Sequence, residues 1–222
     1  MSYEFAKRPK LDRVFGDECL PEKTDPIDFK IDDFRDIKTI CPYPRTVKIC
    51  YHKPTRLFIA AKLITYSAIK NDEQLRSEVE IFRGLGNVEN IVTFYGLCVV
   101  KDEAWMCMEL MDMSLTDLYK EFHKARGPSK TLETIKFPEE ILGNIIVRIL
   151  DALIYCKSKN IIHRDDKPHN ILLNRKGQIK LCDFGVSRIS ESKNHSKFPN
   201  FFRFVSKFNC WYTMVLATGT IR

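Results

Sequence analysis

The sequence predicts an α+β fold in which a strand-rich first part is followed by a mainly helical second part. Three observations point to it. Between Phe34 and Ile64, short apolar runs are broken by turn residues. Residues 139–156 carry a wide apolar stripe at helical spacing. The order along the chain is sheet, helix, sheet, then a mainly helical second part.

The elements follow in order. Residues 1–31 alternate charge with proline and glycine and read as a flexible extension. Thr46–Tyr51 and Leu57–Lys62 read as two strands, separated by the turn residues His52-Lys53-Pro54-Thr55-Arg56. Residues 71–85 place Leu75, Val79, Phe82 and Leu85 on one helix face. Two strands then run from Ile91 to Val100 and from Ala104 to Leu110. In residues 139–156, Ile141, Leu142, Ile145, Ile146, Ile149, Leu150 and Leu153 form the stripe. Pro138 sits just before it, and Glu139 and Glu140 complement the positive helix start. Ile161-Ile162 reads as a short strand, and Ile171–Leu173 with Gln178–Leu181 as a hairpin around Gly177.

Composition bounds the function classes. A chain of 222 residues has room for one large domain or two small lobes. Hydrophobic residues at 44% and charged residues at 29% fit an ordinary globular protein. No apolar run approaches the roughly 20 residues of a membrane helix, and the N-terminus lacks a signal-peptide stretch. The eight cysteines form no C-x-x-C pair, which argues against zinc and redox motifs and for reduced thiols in the cytoplasm. The net charge of +7 is dispersed, without a basic stripe, so neither a nucleic-acid nor a membrane partner is expected.

One stretch carries chemistry. Ile162-His-Arg-Asp165-Asp-Lys167-Pro-His-Asn170 is followed, thirteen residues past Asn170, by Asp183-Phe184-Gly185. This resembles the protein-kinase catalytic loop and the metal-binding Asp-Phe-Gly. Ile59-Ala-Ala-Lys62 resembles the family's lysine-bearing strand, and Glu78 falls on the next helix where a partner carboxylate belongs. The resemblance implies a two-lobed protein-kinase fold with a β-rich small lobe, an incomplete, mainly helical large lobe, and ATP and Mg2+ as cofactors. It implies that Lys62, paired with Glu78, holds the α- and β-phosphates. Asp165 then accepts or orients the substrate hydroxyl proton, Lys167 contacts the γ-phosphate, and Asn170 and Asp183 hold magnesium. Val47, Ala60, Met108 and Leu172 fall where the family lines its adenine pocket, with Glu109, Leu110 and Met111 as the hinge. Plain core is the bland alternative for these apolar residues.

Cys107–Asp112, Pro138–Gly143, His163–Pro168 and Lys180–Ser187 resemble MAP kinase kinases, in particular the stress-responsive branch. The likeness covers about residues 33–190. It implies a MAP kinase substrate phosphorylated on threonine and tyrosine, and an upstream MAP kinase kinase kinase. Ser192 and Ser196 have the spacing of the family's regulatory phosphorylation pair, about one residue early. Lys7, Arg8, Lys10 and Leu11 resemble a MAP kinase docking peptide and also a nuclear-import peptide, beside the bland reading of a solvated tail. A cytoplasmic protein, with nuclear entry through that peptide, is the corresponding expectation.

Two departures matter. The phosphate-covering loop should lie between Ile37 and Val47, yet no glycine occurs between Gly16 and Gly84. Pro42 and Pro44 remove backbone N–H donors there, which predicts weak nucleotide binding. After Ser187 the chain departs from an activation loop: Phe198–Tyr212 holds seven aromatics, and no Ala-Pro-Glu follows Gly219-Thr220. The expected organisation is an extension over 1–31, a small lobe and hinge over 32–111, a partial large lobe over 112–187, and an atypical activation segment over 188–222. The expected function is ATP-dependent phosphorylation of a MAP kinase. The alternative is a weak or inactive pseudokinase that binds pathway partners.

Overall fold

One large sheet organises the first half of the chain. The computed structural model describes residues 27–41, 46–65, 72–100, 103–125 and 138–189. Strands β1 (Ile27–Asp28), β2 (Phe34–Cys41), β3 (Val47–His52), β4 (Leu57–Thr65), β5 (Phe94–Val100) and β6 (Glu103–Glu109) form one sheet in the order β1-β5-β6-β4-β3-β2. All neighbours are antiparallel except β1 and β5. In β4 and β6 successive side chains point to opposite faces. Ile59, Ala61, Trp105 and Cys107 enter one apolar cluster, together with Phe29, Phe34, Cys50 and Cys98. Met106 and Met108 enter the other, which is the main core.

The start of this sheet corrects the expected extension. Ile27 and Asp28 pair with Gly96 and Leu97. Phe29 is buried, with its ring edge-on to His52 at 4.8 Å and 5.4 Å from Phe34. Residues 27–31 therefore belong to the fold rather than to a flexible tail. The first 26 residues lie outside the described residues, as do 42–45 and 190–222.

Helix α1 (Asp72–Leu85) buries Val79, Phe82 and Leu85, the face that periodicity predicts. It ends at Gly86, whose φ of +65° suits the left-handed cap, and the Gly86 N–H donates to the Phe82 carbonyl at 3.1 Å. After β7 (Met113–Ser114) comes α2 (Leu115–Ala125), which the sequence reading did not single out. Its start is a reciprocal cap. The Asp117 N–H donates to Ser114 Oγ at 3.1 Å, while Ser114 N–H and Oγ–H donate to Asp117 Oδ2 at 3.3 and 2.7 Å.

Helix α3 (Glu139–Ser158) buries Ile145, Ile149, Ala152 and Cys156 along one stripe. The Tyr155 hydroxyl donates to the Leu85 carbonyl at 2.9 Å, tying α3 to the end of α1. The remaining strands are β8 (Ile161–Ile162), β9 (Ile171–Leu173), β10 (Ile179–Leu181) and β11 (Arg188–Ile189). β9 and β10 form the expected hairpin, extended by β7, and β8 pairs with β11. The two parts of the chain share one core. Val79, Phe82 and Leu85 meet Ile145, Ile149, Ile171, Leu181 and Phe184 there. The loop after α1 is also bonded to β10: Val92 N–H donates to the Leu181 carbonyl at 3.0 Å, and Leu181 N–H to the Asn90 carbonyl at 2.9 Å.

Candidate active site

The cleft between the large sheet and the β9–β10 hairpin collects most of the charged residues singled out by the sequence. Register delivers the first of them. β4 places Lys62 opposite Val47 on β3 and Met106 on β6. Because α1 presents Glu78 on its buried face, Lys62 Nζ donates to Glu78 Oε1 at 2.7 Å. The same ammonium donates to Asp183 Oδ1 at 2.8 Å. Burial disfavours the Lys62 charge, but Glu78 and Asp183 outweigh it and hold the ammonium's pKa above its ordinary value.

Phe184 explains why α1 stands at the right depth. It is almost fully buried, with its ring edge-on to Phe82 at 5.0 Å and to His163 at 4.8 Å. Phe82 lies one turn past Glu78, so the aromatic contact sets the helix face that carries the carboxylate. Gly185 packs close beside these ion pairs. A β-carbon there would stand 3.3 Å from Glu78 Oε2 and 3.4 Å from Asp183 Oδ1, crowding the ion pairs.

The second cluster is formed by Asp165, Lys167 and Asn170. Lys167 Nζ donates to Asp165 Oδ2 at 2.6 Å. Asn170 Nδ2 donates to Asp165 Oδ2 at 2.9 Å and to the Asp165 carbonyl at 2.8 Å. Burial alone pushes the Asp165 carboxyl up, but the bonds from Lys167 and Asn170 reverse this and hold its pKa below the usual carboxylate value. Asp165 is thus an ionised acceptor at neutral pH. Its low basicity suits orientation of a hydroxyl more than outright proton removal.

The two clusters are joined through the backbone. Cys182 N–H donates to the Asn170 carbonyl at 2.9 Å, and the His163 ring Nε2 lies 3.0 Å from the Cys182 carbonyl. Arg164 and Asp183 have φ of +70° and +64°, left-handed conformations costing on the order of 1–3 kcal/mol each. The packing of His163 and Phe184 holds the chain in them.

The apolar residues separate into two groups. Met108 and Met111 belong to the main core, and Leu172 packs against it. Val47 and Ala60 stand outside both core clusters; Ala60 lies opposite Met108, and Val47 opposite Lys62. The Glu109 N–H is taken by the Thr93 carbonyl at 2.9 Å, so it is not a free hinge donor. Its carboxylate accepts from Lys180 Nζ at 2.7 Å, a contact that the sequence reading missed. The strand Ile179-Lys180-Leu181 is fully buried, so its lysine needs an ionic partner, and the sequence does not say which. Ser192, Ser196, Lys7, Arg8, Lys10 and Leu11 fall outside the described residues.

A lysine bonded to a helix carboxylate and to the aspartate of Asp-Phe-Gly, beside an Asp-Lys-Asn cluster, is the arrangement of a phosphoryl-transfer enzyme. Residues 45–209 match the protein kinase domain family, and the chain belongs to that family. It is similar to two Caenorhabditis elegans proteins: MAP kinase kinase mkk-4, 40% identical over 144 residues, and dual specificity mitogen-activated protein kinase kinase sek-1, 35% identical over 138 residues. The matches cover 64% and 61% of this chain, but only 38% and 39% of those relatives.

Proposed function

We propose that the chain is an ATP-dependent protein kinase of the MAP kinase kinase type, phosphorylating threonine and tyrosine in a MAP kinase. The observation that supports this most strongly is the simultaneous bonding of Lys62 to Glu78 and Asp183. In this reading the Lys62 ammonium is the cation that meets the nucleotide phosphates, and Asp183 beside it is the metal-binding carboxylate.

The donor set fits magnesium. Protein kinases use ATP with a divalent metal, and such a metal keeps one or two protein ligands and takes the rest from phosphates and water. Asp183 offers a carboxylate. Asn170 has committed its amide N–H group to Asp165, so its oxygen is the atom left to coordinate. Among the described residues no three His, Cys, Asp or Glu side chains converge, so a metal here relies on the nucleotide for further ligands. Bound MgATP would supply the phosphoryl group and the cation that offsets its charge.

The chain's own residues would then divide the work. Lys62 neutralises the α- and β-phosphates, held at the right height by Glu78. Asp165 orients the incoming hydroxyl, and Lys167 neutralises charge on the transferred phosphoryl. Val47, Ala60, Met108 and Leu172 enclose the base, with Glu109 and Met111 alongside it. Ser192 and Ser196 would accept phosphate from an upstream MAP kinase kinase kinase, and Lys7, Arg8, Lys10 and Leu11 would dock the substrate. Cytoplasm and nucleus are the proposed locations.

The glycine-free stretch Lys38–Thr46 favours a second reading, a pseudokinase that binds pathway partners without turnover. One experiment separates the two. The 222-residue chain is incubated with MgATP and an inactive MAP kinase, and phosphate on the activation-loop threonine and tyrosine is measured by mass spectrometry. Turnover lost in Asp165→Asn supports the kinase; nucleotide binding without turnover supports the pseudokinase.

A further inference from the structure

One ion pair near the cleft joins Glu109, set beside the base in the reading above, to a lysine that the proposed chemistry does not use. Lys180 is buried in the middle of β10. Its ammonium donates to Glu109 Oε2 at 2.7 Å, with side-chain exposures of 7% and 18%. The same oxygen accepts from the Thr93 N–H at 3.1 Å and the Thr93 hydroxyl at 3.0 Å. The Thr93 carbonyl accepts the Glu109 N–H at 2.9 Å. The carboxylate is thus held from two sides, by β10 and by the residue just before β5.

The location gives the pair its meaning. Glu109 is the last residue of β6, where the large sheet hands over to the chain leading into β7. Lys180 is the middle residue of β10, three before Asp183. The pair therefore crosses the joint between the base-facing edge of the sheet and the strand that delivers a metal ligand. Backbone bonds at Val92 and Leu181 run across the same joint. The cross-link coexists with the Lys62–Asp183 bond, so it belongs to the assembled form of the cleft.

We infer that Lys180 is a positioning residue: through Glu109 and Thr93 it fixes the distance between the hinge and Asp183. The inference rests on the kinase reading for its consequence, since the positioned groups are those proposed to hold base and metal. Removing the Lys180 charge leaves a half-buried carboxylate without its cation, and the chain relieves that by pulling Glu109 towards water. The joint then loosens without any loss of a group that touches nucleotide.

The test uses the full 222-residue chain with Lys180→Met, Lys180→Arg and Glu109→Gln, and with Ile149→Val as a core control of reduced stability. Amide hydrogen exchange is read at Glu109, Val92 and Leu181, relative to Ile59–Ala61 in β4. A coupling of ordinary size makes exchange at the joint about tenfold faster in Lys180→Met. Glu109→Gln shows the same trend, Lys180→Arg keeps most of the protection, and Ile149→Val leaves the ratio unchanged. Affinity for MgADP falls about tenfold in Lys180→Met and recovers in Lys180→Arg. Unchanged relative exchange in Lys180→Met, or arginine behaving like methionine, overturns the inference. A wild-type chain without nucleotide affinity counts against the kinase reading instead, and the exchange ratio then decides the inference alone.

Discussion

Asp165 and Asp183 carry the same side chain in different surroundings, and the proposed function gives them different work. Asp165 is bonded to Lys167 and Asn170, Asp183 to Lys62. Asp165→Asn should therefore lower phosphoryl transfer by about 10²–10⁴-fold while nucleotide affinity stays close to wild type. Asp183→Asn should instead abolish the magnesium dependence of nucleotide binding. Titration calorimetry with and without magnesium, beside a transfer assay, separates the two. His52 supplies a residue-scale test far from the cleft. Burial pushes its pKa below the ordinary value, with Asp33 opposing the shift. The unfolded imidazole takes up a proton near pH 6.5 and the folded one does so only at lower pH. This contribution to stability is complete above about pH 6.5 and is lost as pH falls from there through the folded value, at no more than about 1.4 kcal/mol per pH unit. Denaturant melts from pH 7 to 5 should show a shallower decline in His52→Phe than in the wild-type chain.

Helix α3 shows how far periodicity reaches at the scale of an element. Its stripe was legible because Ile145 and Ile149 recur on one face, and both are fully buried. Val147 and Ile154, apolar as well, are 55% and 54% exposed. Ile149→Ala should cost about 2–5 kcal/mol in a denaturant melt. Ile154→Lys, five residues on, should stay within about 0.5 kcal/mol and improve solubility. Other elements escaped the sequence for physical reasons. β1 is only two residues long, and its edge pairing to β5 depends on Phe29 finding His52 and Phe34 across the sheet. The Lys180–Glu109 pair depends on the register between hairpin and hinge, which no local pattern reports. The pairing of Lys62 with Glu78 was legible through the likeness of their two elements to the kinase family, whereas the bond from Lys62 to Asp183 was not expected.

At the scale of the whole molecule, both parts of the chain contribute to one core and one cleft. Lys62 and Glu78 come from the first part; Asp165, Lys167, Asn170 and Asp183 come from the second. Between β2 and β3 the sequence carries Pro42 and Pro44 and no glycine. Restoring Gly-x-Gly-x-x-Gly across residues 40–45 should tighten MgATP binding, because glycine returns backbone N–H groups and close approach to the phosphates. Calorimetry on the restored chain checks this, and unchanged affinity would show that the prolines are not what limits binding.

The most direct measurement is the thermal shift of the 222-residue chain with ATP, with magnesium and with EDTA, for the wild type and for Asp183→Asn. A cleft assembled around Lys62 and Asp183 predicts that ATP raises the melting temperature only when magnesium is present, and that Asp183→Asn loses the shift. Absence of any shift in the wild-type chain, or an equal shift in EDTA or in Asp183→Asn, would contradict the proposed nucleotide and metal site.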